Sequence, residues 1–319
     1  MARKPIPLTT PPTEATATRV EPRGGRGGHR SAYHRGLGLL LTPYLLGTAV
    51  LIAIPALLAF ALAFARYDAL TPPVWIGFDN FRSISRDPLF RIALRNSALF
   101  VVLAVPLRVL GALALALLLN RARRGTGLYR AAVYLPTIIP EVPYALAWLW
   151  LVNPIYGPIN LLLGALGLPR PAWLVDPDTA LLVIVVMSAF QLGEGFVVLL
   201  AGLQDIPGEL YDAAAIDGGG WWRVFWLITL PLLAPWLLLN TLRDTMLSAQ
   251  GTFVPAYVMT GGDPYYATLF LPLHIYNVAF GSFRFGQATA MMLLLLLAVG
   301  MLLMLIYRAG GGWGYDDDL

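Results

Sequence analysis

Five ionisable side chains lie inside long apolar runs of this sequence: Arg108, Glu141, Glu194, Arg243 and Asp244. On insertion scales each costs about 2.5–3.5 kcal/mol at the centre of a bilayer, so each must face protein or water. Two are positive and three negative, which makes mutual pairing feasible. Gln191 and Glu194 stand at i, i+3 spacing, and Asn240, Arg243 and Asp244 also share one helix face. Polar groups on those two faces could hydrogen-bond the hydroxyls of a solute. Gln191, Glu194, Asn240, Arg243 and Asp244 are therefore the candidate pathway residues, and Asn240→Leu is expected to alter solute selectivity. The other reading is that Glu194 and Arg243 only pair to pack a helix bundle. Arg243 would also suit an anionic solute.

Other chemistry is excluded by what the sequence lacks. It has no cysteine, so disulfides, thiolate metal sites and cysteine nucleophiles are ruled out. Its single lysine, Lys4, has no G-x-x-x-x-G-K-S/T context, so no Walker-type ATP site is present. His29, His34 and His274 include no i, i+4 helical pair of the kind that binds zinc, and His274 reads as a plain interfacial residue. There is no G-x-S-x-G elbow. No catalytic residue and no metal ligand is expected.

These residues need elements to hold them, and composition says which. Hydrophobic residues make up 58% of the 319 positions and charged ones only 13%, about half the usual share for a soluble domain. A soluble core cannot hide that much apolar surface, whereas a lipid-facing surface has no need to. Six apolar runs are long enough to cross a bilayer, at about 37–64, 97–119, 131–152, 180–203, 226–249 and 287–307. The first is too long for the core of a signal peptide and reads as a retained span. Residues 1–36 are rich in Pro, Thr, Gly and Arg and read as a disordered basic tail. The expected layout is an all-α, six-span domain over 37–308 with a short tail at 309–319. Thirteen Lys/Arg on the side of the amino-terminal tail against seven on the other put both termini in the cytoplasm. The segments 65–96, 153–179 and 250–286 would then face outward, the last with an aromatic stretch along the interface. Trp148 and Trp150 read as interfacial anchors. Nothing suggests a nucleic-acid partner.

Between the fourth and fifth runs, the cytoplasmic segment 204–225 carries a distinct pattern. Asp205 can cap a helix, Pro207 is tolerated in a first turn, and Glu209 and Asp212 lie where the helix dipole favours negative charge. Gly218, Gly219 and Gly220 then stop the helix, because glycine enters the left-handed conformation at little cost. The result is a helix of about 11 residues, roughly 16 Å long, followed by a second helix from Trp221. The small face of Ala213 and Ala214 allows close approach to a partner's groove.

This segment resembles the EAA loop of bacterial ABC importer permeases: EAA, three residues, G, nine residues, I, one residue, LP. Here the pattern reads Asp212-Ala213-Ala214, Gly218, Ile228, Leu230-Pro231, with every spacing kept and aspartate in place of glutamate. Gly77-Phe78-Asp79-Asn80-Phe81 resembles the "GxxNF" outer-loop element of the sugar-importing branch. Thr260-Gly261-Gly262-Asp263-Pro264, with Thr268, resembles its "TGGP…T" element, and Phe285–Ala290 its last-span start. The chain looks most like the maltose and glycerol-3-phosphate permeases that form the first of two partner subunits. The resemblance implies a type I ABC importer permease fold and alternating access. It implies ATP and magnesium bound on two separate ATPase subunits, a second permease subunit and an extracytoplasmic solute-binding protein. It implies that Asp212, Ala213, Ala214, Gly218, Ile228, Leu230 and Pro231 couple this chain to the ATPases. Rival readings are a permease for another solute class, a secondary transporter without a docking helix, and a membrane-embedded enzyme.

Overall fold

The computed structural model describes residues 40–121 and 123–310. The expected tail over 1–36 and residues 311–319 lie outside them. Among the described residues the chain divides after Leu57 into two compact units.

Helix α1 spans Leu40–Leu62, 23 residues of high mean hydropathy. A two-residue antiparallel pair follows, β1 (Ala65–Arg66) with β2 (Val74–Trp75). Then come α2 (Asp79–Arg86) and α3 (Pro88–Leu119). The segment expected as an outer loop over 65–96 is thus largely helical. Asp87 explains where α3 starts. Its carboxylate accepts the amide of Leu89 at 2.9 Å, and Pro88 occupies the first turn, where a missing N–H costs nothing.

Two of the expected spans are broken. Helices α4 (Thr126–Ile138) and α5 (Glu141–Leu151) meet at 103°, and α7 (Pro177–Ala189) and α8 (Gly193–Asp205) at 45°, with α6 (Pro158–Ala165) between the pairs. At the first break Ile139 is extended (ψ 127°), because a residue ahead of proline is sterically disfavoured in the helical region. The short helix α9 covers Gly208–Ile216. Helix α10 covers Trp221–Thr260, widened into π-turns at Phe225–Thr229 and Ala256–Thr260. Helix α11 (Leu271–Tyr276) precedes α12 (Phe285–Gly310). Among the described residues four helices are long and apolar enough to cross a membrane, or up to six spans when each bent pair counts as one.

Helix α3 is the central post, packed against α7, α8, α10 and α11. One half of it builds a core with Phe270, Leu271, Leu273 and Met291, and the other with Phe196, Leu199 and Leu233. Close approach needs small residues. A Cβ on Gly193 would lie 2.9 Å from the Tyr134 backbone, and one on Gly202 would lie 2.6 Å from the Trp236 ring. Glycines on one helix therefore let α8 nest between α4 and α10, since dispersion contacts, not water exclusion, drive helix association in lipid.

The aromatic stretch after residue 264 divides, with Tyr265 and Tyr266 exposed and its later part packed inside. Phe270 and Leu271 are fully buried. Asn96 donates to the carbonyls of Tyr266 (2.8 Å) and Leu269 (3.2 Å), and the Leu271 amide donates to Ser97 (2.8 Å). His274 is likewise buried, with Nε2 3.1 Å from Asp87. Trp148 belongs to a core with Tyr144, Met187 and Met259, whereas Trp150 is exposed.

Candidate functional site

The five charges, drawn from four separate stretches of sequence, meet at one cavity of about 630 Å³. Arg108 enters from α3, Glu141 from the start of α5, Glu194 from α8, and Arg243 and Asp244 from α10. Gln191 joins them from the α7–α8 break. Phe100, Tyr144 and Phe253 supply aromatic walls. The breaks explain why the cavity exists. The two span bends, at Ile138–Glu141 and Ser188–Glu194, both border it, as does Gly251 in a short non-helical turn within α10. Irregular backbone at membrane depth is tolerated where it is buried in protein or lines a wet cavity.

Within the cavity the charges form a chain. Arg108 Nε lies 3.3 Å from the Asp244 carboxylate, while Nη2 donates to the Asp244 carbonyl (3.2 Å) and to Ser248 (2.9 Å). Arg243 lies 3.4 Å from the same carboxylate and pairs on its other side with Glu194. The chain thus runs Glu194, Arg243, Asp244, Arg108, and it ties α8 and α3 to α10. The Arg108–Asp244 link is the buried one, with side chains 12% and 9% exposed; Glu194 is half exposed to the cavity.

Of the expected pathway residues, Gln191, Glu194, Arg243 and Asp244 line this cavity and Asn240 does not. Asn240 is 1% exposed and donates to the Gly195 carbonyl at 3.2 Å, on the packed seam between α10 and α8. The shared-face argument fails for it because residues three and four apart on a helix still differ by a turn in height. Arg108 and Glu141, named above only as intramembrane charges, are full members. Their presence follows from the fold of α3 and from the bend before α5, which residue spacing does not encode.

A second feature stands apart. Helix α9 contains no buried residue, and its Ile216 is 87% exposed. It has nine residues, fewer than expected, because Asp205 ends α8 instead of capping α9 and the N-cap position belongs to Pro207. Gly218 stops it with φ +70°, in the left-handed region. One polar contact ties it to α10: the hydroxyls of Tyr211 and Thr229 are 3.2 Å apart. Asp212, Ala213, Ala214 and Gly218 lie on or just after this helix, and Ile228, Leu230 and Pro231 in the first turns of α10.

The outer-loop elements prove to be local staples. Asn80 donates to the carbonyls of Ala63 (2.8 Å) and Ala65 (2.9 Å). Thr260 and Thr268 hydroxyls meet at 2.7 Å across the glycine turn. Among the described residues no three His, Asp or Glu side chains are grouped to hold a metal ion.

Residues 109–309 match the family described as binding-protein-dependent transport system inner membrane component. The chain belongs to that family. The permease is 36% identical over 256 residues to a probable ABC transporter permease protein, YesP, of Bacillus subtilis, covering 79% of this chain and 82% of YesP. It is 32% identical over 257 residues to the trehalose/maltose transport system permease protein MalF of Thermococcus litoralis, covering 80% and 87%. Its fold matches the crystal structure of a bacterial ABC transporter that imports the acidic polysaccharide alginate, with a TM-score of 0.79 over 90% of this chain and 98% of that one at 21% identity. It also matches the crystal structure of a bacterial alginate ABC transporter in complex with an alginate pentasaccharide-bound periplasmic protein (TM-score 0.77, 21% identity, 89% and 96% covered). The six-span all-α reading and the permease reading both hold. The family is a membrane transport component.

Proposed function

We propose that this permease imports a sugar or sugar-like solute by alternating access, as the first of two partner permeases. The observation that carries the reading is the shared cavity. Both span bends, the turn at Gly251 and all five intramembrane charges border one space. Interrupted helices around a polar cavity are how transporters build a solute site inside a bilayer. Carboxylate and amide acceptors beside Phe100, Tyr144 and Phe253 suit a solute with many hydroxyls and apolar ring faces.

Helix α9 is the coupling element. It buries no residue, packs on its own chain through half-buried Tyr211, and leaves its small Ala213-Ala214 face to admit a close neighbour. The neighbour is one of two ATPase subunits, which carry ATP and magnesium. Their closure moves α9 and, through Tyr211 and Thr229, the base of α10. Arg243 and Asp244 lie on that helix, so the movement reaches the cavity. ATP and a solute-loaded extracytoplasmic binding protein drive the switch by binding the outward-facing state better. Both termini lie in the cytoplasm.

Sidedness is the direct test. Because the chain has no cysteine, Ala213→Cys can be labelled alone. Labelling by an impermeant thiol reagent only from the cytoplasmic face, blocked when the ATPases are bound, is the expected result. Labelling from outside would overturn the coupling role.

A further inference from the structure

The cavity also limits the charge of what passes through it, given that it is the translocation pathway proposed above. Its lining carries two arginines and three carboxylates. Each arginine is already engaged: Arg243 between Glu194 and Asp244, and Arg108 by Asp244 and Ser248. Glu141, exposed at the first turn of α5, has no ion-pair partner among the described residues. A phosphate or carboxylate on a solute would find no free cation here and would face an uncompensated carboxylate. An uncharged polyol meets the opposite situation. Carboxylates accept up to four hydrogen bonds each, and the Gln191 carbonyl accepts as well. Phe100, Tyr144 and Phe253 add apolar surface to the lining, with the Tyr144 hydroxyl already donated to the Met187 carbonyl at 2.8 Å.

We infer that this chain's half of the pathway selects an uncharged, hydroxyl-rich solute and rejects anionic saccharides, whether phosphorylated or uronate-bearing. The alginate transporter that shares the fold imports an acidic polysaccharide, so the shared fold leaves solute charge open and this cavity's ion pairs decide it.

The test uses the full assembly in proteoliposomes with two single-cysteine variants, Ser188→Cys in the cavity wall and Ile155→Cys, which is 80% exposed, as the reference. Each is modified with a cationic and an anionic methanethiosulfonate of similar size. The lining carries one carboxylate more than it has arginines, and an unpaired charge about 6 Å from the thiol separates cation and anion concentrations by about 10-fold even in water. The cation-to-anion rate ratio at Ser188→Cys should therefore exceed the reference ratio by about 10-fold, and adding Glu141→Gln should remove most of the excess. Equal ratios, or an anion preference, overturn the inference. A second arm measures ATP hydrolysis by the assembly with its binding protein, using maltose, trehalose, glycerol 3-phosphate and galacturonate. Stimulation confined to the neutral sugars supports the inference. Equal stimulation by the acidic compounds overturns it and leaves the importer reading standing. No stimulation by any of the four, with basal hydrolysis intact, removes the sugar reading and this inference with it.

Discussion

Asn240 and Gly195 are matched across the seam between α10 and α8. The amide of Asn240 donates to the Gly195 carbonyl at 3.2 Å, and a Cβ on Gly195 would sit 2.7 Å from the same nitrogen. The hydrogen bond needs the glycine, and the glycine's bare surface is filled by the amide. Gly195→Ala should therefore cost about 1–3 kcal/mol through forced displacement of Asn240. Asn240→Leu should cost a similar amount while leaving solute selectivity unchanged, because the residue is buried away from the cavity. Thermal unfolding in detergent together with an uptake profile checks both. A selectivity change in Asn240→Leu would return that residue to the pathway.

The buried ion pair predicts an asymmetry. Asp244→Leu strips Arg108 of its carboxylate and leaves it only Ser248 and a backbone carbonyl. Arg108→Leu leaves Asp244 with Arg243 at 3.4 Å. Breaking a buried pair from one side costs about 3–5 kcal/mol, and Asp244→Leu should fall at that end with Arg108→Leu below it. The double variant Arg108→Leu/Asp244→Leu should recover much of the loss. A double-mutant cycle on unfolding free energy measures the coupling.

Gly218 holds φ +70° at the end of α9. Proline is confined near −65° and cannot take that conformation. Gly218→Pro should abolish solute-stimulated ATP hydrolysis in the assembly while membrane insertion continues. Unchanged stimulation would remove α9 from coupling. Tyr211→Phe loses only the 3.2 Å contact with Thr229 and should weaken stimulation without abolishing it.

Asp87 does two things at once. One carboxylate oxygen caps α3 through Leu89, and the other meets His274 Nε2 at 3.1 Å. Asp87→Ala loses both and should cost more than the roughly 0.5–2 kcal/mol of a helix cap alone. Asp87→Asn keeps a cap and should cost clearly less. His274→Ala isolates the second contact. Comparing the three melting curves separates cap from pair.

The sequence by itself determined what is local. Apolar runs of 20 residues and more, with few charges, forced helices that lie in lipid, because nothing else satisfies backbone groups there. The stretch from Asp212 to Pro231 was legible because a helix, a left-handed glycine stop and a restart are all set by neighbours in the chain. The cost of charge in hydrocarbon marked Arg108, Glu141, Glu194, Arg243 and Asp244 as residues needing partners or water. Tertiary structure alone decided which partners. Arg108 and Asp244 are 136 positions apart and meet because α3 packs on α10. Glu141 reaches the cavity because the chain turns through 103° just before it. Asn240 shares a helix with Arg243 and Asp244 yet points into a seam, because Gly195 leaves room there. Periodicity gives the face of a helix but not its depth or its neighbour, and in a bundle those two set whether a polar side chain meets solute or another helix.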